Sequence, residues 1–400
     1  MITDKKGGEC VQIQPTMLHE RHATLDIIRG FSLLGILLVN IFAFFTPQPH
    51  IQLSTWFTEA TDIIWHQVLD IYVQSSFYPL FAMLFGYGIA MQFMKAKERE
   101  QRFYPYASKR LLLLFIIGLV HGIFIWWGDI LATYAICAII LLLLVRFNGY
   151  VLIGVGILIN FILHVFFIGI FVLTGMGNDN VDTYVIDIVK VQDSITAYGT
   201  GSWLDAQIQR FTDVAIQMSP AMIIMSFFMI LPFMLIGAGL GKFRLIERAN
   251  ELKVFWIIIA VLFTVGGLII KNLAYIKEHT YLLDYLKVYI GGPILSLGYI
   301  GVIVVVCMIP FVQKLLKPIG KVGRMSLTMY ISQSIILSIL FYKWGFGLYG
   351  KVNVPLSVYI SLAIFIVQII IAEVWLSKFK QGPLEAGMKR LIYGKTLSEK

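Results

Sequence analysis

Residues 150–173 read YVLIGVGILINFILHVFFIGIFVL, a run of 24 residues that contains no Asp, Glu, Lys or Arg. A helix rises about 1.5 Å per residue and the hydrocarbon core of a bilayer is about 30 Å thick, so about 20 apolar residues cross it. The stretch therefore predicts a transmembrane helix.

Nine further apolar stretches of near-spanning length occur along the chain. The ten predicted spans are Ile27–Phe45, Ser75–Met94, Leu111–Trp127, Ile130–Val145, Tyr150–Leu173, Met218–Leu240, Val254–Ile270, Val288–Phe311, Met325–Tyr342 and Val354–Leu376. The sequence is 58% hydrophobic and 14% charged, whereas soluble domains have about 25% charged residues. The predicted fold class is an all-α polytopic membrane protein with about ten transmembrane helices.

The Lys and Arg residues predict the orientation of these spans. Of the 32, 25 lie in the two tails and in every second connection, and 7 lie in the remaining connections. Cytoplasmic loops keep Lys and Arg because positive segments translocate poorly. Both termini are therefore predicted to be cytoplasmic, and the protein to be a multi-pass protein of the cell (cytoplasmic) membrane. The net charge of +9 suits the anionic inner surface of a lipid bilayer and requires no nucleic acid partner.

The spans divide the chain into three parts. Residues 1–24 form a polar N-terminal tail, 25–377 a transmembrane domain and 378–400 a C-terminal tail. The tail and first apolar run lack the features of a cleaved signal, so we expect the first span to be retained. The segment 175–217 is predicted to be a long acidic loop on the outer face, and loops of this length are usually functional or flexible.

The segment 56–73 predicts an extra outer amphipathic helix. Its polar face carries Glu59, Asp62, His66 and Asp70 at steps of three and four residues, which places them on one side of a helix. The acids could hold a cation, although carboxylates on an exposed helix are usually only solvated. We place His66 among the candidate substrate-binding residues.

Arg110 and His121 are the leading candidates for catalysis. They are eleven residues apart, so they differ by only about 20° around the helix and by about 16 Å along it. Arg110 lies at the predicted cytoplasmic boundary, which puts His121 near the middle of the bilayer, where an ionisable group is costly. Imidazole can act as a general base near neutral pH. The alternatives are a hydrogen-bonded structural histidine and an arginine that anchors the helix at the interface.

Other polar residues extend the candidate site. Asp26 and Arg29 can pair at i, i+3, and Asn40 shares the azimuth of Arg29, which predicts either a polar strip along a cavity or a pair that fixes the helix start. Asp129, in the short turn after the third span, is the third catalytic candidate, and it either caps the fourth span or joins the outer acids. The ninth span offers Tyr330 and Gln333 on one face. No spacing indicates a metal site.

Several of these residues belong to motifs that resemble those of a bacterial family. The segments are Leu25–Phe31 with Gly35 and Asn40, Leu84–Gly88, His121 with Trp127–Leu131, Gly323–Thr328 with Tyr330 and Gln333, and Gly382–Glu385 with Arg390. They resemble domain of unknown function 418, the YeiB-like membrane proteins, over nearly the whole chain. The tryptophan usual after the last Glu is replaced by Ala386.

That family is grouped with transmembrane acyltransferases, including acyltransferase family three and heparan-alpha-glucosaminide N-acetyltransferase. Family three has a basic residue and a histidine with ten residues between them, a spacing that Arg110 and His121 reproduce; its first-span histidine has no counterpart here. The resemblance implies a ten-helix bundle that moves acyl groups from a cytoplasmic donor to an outer acceptor.

Three functions are consistent with the sequence. The leading hypothesis is an acyltransferase, in which Arg110 attracts the phosphates of an acyl-CoA donor, His121 accepts a proton or the acyl group, and the acceptor is a glycan or lipid. The alternative is a proton-coupled transporter or flippase that uses the same buried polar residues. A structural or sensory membrane protein with a ligand pocket is the third possibility.

Overall fold

A computed structural model of the protein describes residues 22–179, 187–277 and 280–394. Most of the N-terminal tail lies outside the described residues. The helices are α1 Ala23–Asn40, α2 Phe42–Phe45, α3 Leu53–Trp56, α4 Ala60–Tyr72, α5 Phe77–Glu98, α6 Phe103–Phe124, α7 Leu131–Leu144, α8 Gly149–Thr174, α9 Ile188–Gly199, α10 Trp203–Gln217, α11 Pro220–Lys242, α12 Lys253–Ile276, α13 Tyr281–Tyr285, α14 Gly292–Cys307, α15 Pro310–Arg324, α16 Ser326–Phe341, α17 Val354–Lys378 and α18 Pro383–Tyr393.

The all-α polytopic fold is confirmed. Within the described residues, eight stretches are long and apolar enough to cross a bilayer: Ala23–Phe45, Ala60–Glu98, Phe103–Phe124, Gly149–Thr174, Pro220–Lys242, Lys253–Ile276, Tyr281–Cys307 and Val354–Lys378. A ninth results if α15 and α16, which meet at 76°, form one broken span.

Two of the ten predicted spans correspond to helices that are shorter than a full crossing. The predicted fourth span is α7, which has 14 residues, and the predicted ninth is α16, which has 16. At about 1.5 Å per residue these helices are only about 21 and 24 Å long, short of a 30 Å hydrocarbon core. The turn before α7, Trp126–Asp129, is buried inside the bundle.

Connections that the charge pattern predicts on one side of the membrane contact one another. At the end of the bundle that holds the basic connections, which we call the basic end, Arg244 pairs with Glu98 and Arg324 donates to the Lys380 carbonyl. At the opposite end, the Lys343 amide donates to the Tyr198 carbonyl. This separation agrees with the predicted alternation, and the cytoplasmic location of the termini stays a prediction.

Glycines allow the central helices to approach closely. A Cβ on Gly86 of α5 would lie 1.9 Å from the Met234 carbonyl oxygen of α11, and one on Gly237 would lie 2.0 Å from the Met83 carbonyl oxygen. This reciprocal contact requires glycine at both positions, because only glycine fits at such a separation. Gly88 differs, because a Cβ at this residue would meet only the Arg29 guanidinium, at an ordinary contact distance of 3.7 Å.

The amphipathic helix α4 turns its polar face inward. Asp62 and Asp70 are buried, whereas Ile63, Ile64 and Val68 are 44%, 59% and 44% exposed. A water-soluble protein would show the reverse arrangement, so the outward apolar face is typical of a helix in contact with lipid. Asp62 accepts a hydrogen bond from the Val354 amide at the start of α17.

Both polar segments predicted to flank the spans contain helices. The described parts of 175–217 include α9 and α10, and α10 begins with a capping box between Ser202 and Asp205. The C-terminal tail forms α18, which packs against α6 and α16. Helices α10 and α18 cover opposite ends of the candidate site.

Candidate functional site

Arg110 and His121 both lie on the buried stripe of α6. The stripe also contains Ala107, Leu114 and Gly118, at helical spacing. Exposed residues such as Leu112, Ile116 and Val120 occupy the other side of the helix. The predicted shared azimuth is therefore observed, and both polar side chains point away from the lipid-facing surface.

His121 is held by Asp129 across the turn between α6 and α7. The Nδ1 atom of His121 lies 2.8 Å from Oδ2 of Asp129, and each residue is 1% exposed. Oδ1 of Asp129 accepts a hydrogen bond from the Ala132 amide at 2.9 Å. Asp129 thus caps α7, as one alternative predicted, and orients the imidazole as well. It does not join the acids of α4.

Glycine residues make this close pairing possible. A Cβ on Gly118 would lie 2.4 Å from the Ala132 amide nitrogen and 2.7 Å from Oδ1 of Asp129. On Gly122 it would lie 3.4 Å from the Asp129 Cβ. The start of α7 therefore packs directly against the α6 backbone, one turn from His121.

The carboxylate assigns roles to the two imidazole nitrogens. An Asp carboxylate accepts hydrogen bonds, so the geometry favours the proton on Nδ1 of His121. Nε2 is buried and has no hydrogen-bond partner among the described residues. A buried acceptor without a partner is costly, and an imidazole held in this way is suited to act as a general base.

A cavity of about 390 Å³ extends from the basic end toward this pair. Its inner part is apolar and aromatic, with Phe81, Phe85, Leu114, Ile130, Leu131, Tyr134 and Tyr330. Tyr330 connects the cavity to the pair, because its ring lies 5.2 Å from the His121 ring and its hydroxyl accepts from the Ile130 amide at 3.4 Å. His121 itself lies one side chain behind the wall.

The mouth of the cavity is charged. Its lining contains Asp26, Arg29, Lys95, Arg110, Glu247, Arg324, Glu385 and Lys389. The three carboxylates are all engaged: Asp26 pairs with Arg29 at 2.9 Å, Glu247 accepts from the Tyr87 hydroxyl, and Glu385 accepts from the amides of Leu327 and Thr328 at 2.8 and 3.1 Å. The net charge of the mouth is therefore positive.

Arg110 has no counter-ion among the residues that the structure describes. Its guanidinium lies 5.7 Å from the centre of the Phe85 ring and makes no hydrogen bond or ion pair with any described residue. A guanidinium has five N–H donors and is suited to bind carboxylate or phosphate groups. The position of Arg110 in the cavity is typical of a binding group for an anionic ligand.

The opposite end of the site is closed by α10. The last carbonyls of α6 have no helical partner. Gln207 donates to the Ile123 carbonyl, Arg210 donates to the Phe124 carbonyl at 3.0 Å, and Ser338 donates to the Ile125 carbonyl at 3.2 Å. Side chains of α10 and α16 therefore cover the end of α6 that follows His121.

The structure does not bring every predicted residue to the cavity. Asp26, Arg29 and Tyr330 line it, but Asn40 does not. Gln333 donates to Gln368 of α17 at 2.9 Å, which links two helices. His66 contacts the rings of Phe42 and Phe57 in the outer half of the bundle. Helical azimuth places residues on a face, but it does not tell which neighbouring helix covers that face.

Helix α18 supplies cavity residues that the sequence reasoning missed as site residues. Glu385, Met388, Lys389, Ile392 and Tyr393 all line the cavity. Burial raises the pKa of the Tyr393 hydroxyl more than the nearby Arg110 lowers it, so this hydroxyl stays protonated at neutral pH. The sequence did contain one indication that the tail forms an amphipathic helix, because its apolar residues Met388 and Ile392 are four residues apart.

The described part of the chain contains no group of three or more His, Cys, Asp or Glu side chains that could hold a metal ion. The cavity has instead the size and polarity of a site for an organic anion, because small-molecule sites of about 300–1,000 Å³ usually combine apolar walls with a few polar groups.

Comparison with known proteins finds uncharacterised relatives. Residues 240–395 match the family described as "Protein of unknown function (DUF418)". The chain is 30% identical to "Uncharacterized protein YxaH" of Bacillus subtilis, over 93% of this chain and 94% of that protein. It is 26% identical to "Uncharacterized protein YeiB" of Escherichia coli, over 92% and 94%. A third relative, "Uncharacterized 39.9 kDa protein in amylase 3'region" of Bacillus acidopullulyticus, is 28% identical over 96% and 97%.

Proposed function

This chain belongs to the DUF418 family, whose description assigns no chemistry, and we propose that it is a transmembrane acyltransferase of the cell membrane. The donor is a cytoplasmic acyl-CoA-type thioester, and the acceptor is an outer-face hydroxyl or amine such as that of a glycan or lipid. Catalysis is assigned to His121 and Asp129, and donor binding to Arg110.

One observation carries this proposal. An imidazole oriented by a buried carboxylate lies directly behind the inner wall of a cavity whose mouth holds an unpaired guanidinium. Asp26 and Arg29 border the same mouth, and Tyr330 separates the cavity from the imidazole. An elongated ligand with an anionic head and a reactive far end fits this arrangement of charge and apolar surface.

The geometry suggests a direct transfer. Asp129 accepts a hydrogen bond from Nδ1–H of His121 and stabilises the imidazolium that forms during the reaction. Nε2 takes the proton of the acceptor O–H or N–H as the acceptor oxygen or nitrogen bonds to the acyl carbon. The carbon–sulfur bond then breaks, and the leaving thiolate receives that proton from the imidazolium. Tyr330 must rotate to let the acyl carbon reach Nε2.

The test uses purified protein in lipid with labelled acetyl-CoA and membrane lipids or cell-wall glycans as acceptors. Transfer of label by the wild type and its loss in His121→Ala support the proposal. Asn160→Ala is the control, since among the described residues Asn160 of α8 hydrogen-bonds to Gly156 of its own helix. An absence of both transfer and donor binding in the wild type contradicts the proposal.

A second candidate function is a proton-coupled transporter or flippase. A buried ion network favours it: Lys287 pairs with Asp70 at 2.6 Å and with Asp284 at 2.8 Å, and Lys271 donates to the Gln74 carbonyl. Buried charges within membrane spans often mark proton or ion paths. Proton-driven uptake into proteoliposomes that Lys287→Met abolishes, with no response to acyl-CoA, would select this function.

A further inference from the structure

A second, smaller cavity adjoins the mouth of the first. This side chamber has a volume of about 60 Å³ and lies between the end of α5 and the start of α6. Its wall is shared with the larger cavity through Gln92, Lys95, Arg110 and Tyr393. A water-sized group needs about 10–15 Å³ of such space, so the chamber has room for a tetrahedral anion and little more.

The chamber is cationic on several sides. Lys95, Arg99 and Arg110 line it, and its described lining contains no Asp or Glu. Positive charge around one small cavity favours the binding of an anion there. Arg110 has no hydrogen bond or ion pair to a described residue, so its N–H donors remain available.

The remaining lining favours a phosphate group over a carboxylate. Tyr106 and Tyr393 line the chamber, with their rings stacked at 5.6 Å. Burial raises the pKa of Tyr393, as noted above, so its hydroxyl remains a hydrogen-bond donor. Two guanidinium groups, an ammonium and hydroxyl donors together suit an anion with three or four oxygens and a double charge.

We infer that the side chamber binds a phosphate group, with Arg99 and Arg110 as its principal ligands. The group is either free inorganic phosphate or a terminal phosphate of a molecule that occupies the larger cavity. Arg110 contacts both cavities, so occupancy of the side chamber affects how the larger cavity holds its ligand. The inference rests on the chamber and does not require acyl transfer.

The first experiment measures binding of inorganic phosphate to the purified full-length protein by calorimetry, in a phosphate-free buffer. We expect saturable binding that is weakened about 10-fold or more in Arg99→Gln, the usual effect of losing a hydrogen bond between charged partners. Arg102→Gln is the matched control, because Arg102 is exposed and lines neither cavity. Phosphate affinity that is unchanged in Arg99→Gln, or that falls equally in Arg102→Gln, overturns the inference. An absence of phosphate binding to the wild type overturns it as well.

A second experiment identifies the source of the phosphate. Coenzyme A and its form without the 3′-phosphate are compared in the wild type and in Arg99→Gln. A preference for the phosphorylated form that disappears in Arg99→Gln assigns the chamber to that ligand, and equal binding alongside Arg99-dependent inorganic phosphate binding assigns it to the free ion. His121→Ala must keep phosphate binding, so failure of the transferase proposal is distinguishable from failure of the phosphate site.

Discussion

The central contact at the scale of single residues is the one between His121 and Asp129. It fixes which imidazole nitrogen is free, and it lies where the α6 backbone is accessible because Gly118 has no side chain. The sequence predicted the position of His121 on the same face as Arg110. It did not predict the partner, because Asp129 lies in a turn whose path depends on how α7 packs against α6.

Asp129→Asn tests the orienting role of the carboxylate. The amide oxygen can still accept the Ala132 amide, so the cap on α7 is retained, but an amide NH₂ facing Nδ1 favours the wrong tautomer of His121. We expect transfer of label to fall at least 100-fold, by analogy with the loss of about 10⁴ in a serine protease triad. A thermal melt that matches the wild type shows that the fold survives. Retained activity contradicts the assignment.

Arg110→Gln tests the binding role of the guanidinium. Because Arg110 has no protein counter-ion, its removal leaves no described carboxylate unpaired, and the fold should tolerate the change. We expect the Kd for acyl-CoA to rise about 10- to 100-fold, the usual cost of losing a charge-assisted hydrogen bond. The measurement is equilibrium binding of a labelled donor. Equal affinity in the variant and the wild type refutes the role.

At the scale of helices, composition identified the positions of all ten predicted spans as helices, but not their lengths or breaks. The 76° angle between α15 and α16 was not predicted, because the basic residues of α15 assigned that segment to a connection between two spans. The role of α18 was also missed. The sequence of a tail helix does not show which cavity the helix covers. The position of α18 depends on contacts with residues more than 50 positions away, such as the contact between Glu385 and Thr328.

Gly86→Ala tests the packing of α5 against α11. The added methyl group would lie 1.9 Å from a backbone oxygen, so one helix must shift, at a cost of about 1–3 kcal/mol. We expect a lower Tm for the protein in detergent. The control is Gly154→Ala, where an added Cβ meets nothing within 4 Å and the change should be neutral or stabilising. A Tm unchanged in Gly86→Ala contradicts the packing account.

Glu385→Ala tests the docking of α18. The carboxylate accepts from two amides at the start of α16 and from the Thr328 hydroxyl at 2.6 Å. We expect its loss to release α18 and to increase hydrogen exchange of the tail amides. Because Lys389 and Tyr393 lie on the same helix, donor affinity should fall as well. Unchanged exchange in the tail would show that other contacts hold the helix.

At the scale of the whole molecule, one end collects the basic connections and the mouth of the cavity, and the other is closed by α10 over the end of α6. The proposed transfer needs access from both sides of the membrane, so we expect α10 to move when the acceptor binds. The sequence predicted that basic residues alternate between the two sides of the membrane. It did not predict that Arg210, which lies in a predicted loop, hydrogen-bonds to the end of α6.

Cysteine labelling tests the orientation. In a variant without Cys10, Cys137 and Cys307, Arg102→Cys and Lys351→Cys place one exposed thiol at each end of the bundle. We expect a membrane-impermeant reagent applied to intact cells to label Lys351→Cys and not Arg102→Cys. Labelling of the Arg102 position in intact cells would reverse the orientation and exclude a cytoplasmic donor for this cavity.

The most direct measurement is an experimental structure of the protein with a non-hydrolysable acyl-CoA analogue. We predict density through the cavity between α1, α5, α6 and α18, with phosphate groups at Arg110 and the carbonyl carbon beside Nε2 of His121. Density for the analogue at another site, or a carbonyl separated from His121 by the undisturbed Tyr330 ring, would contradict acyl transfer by this histidine.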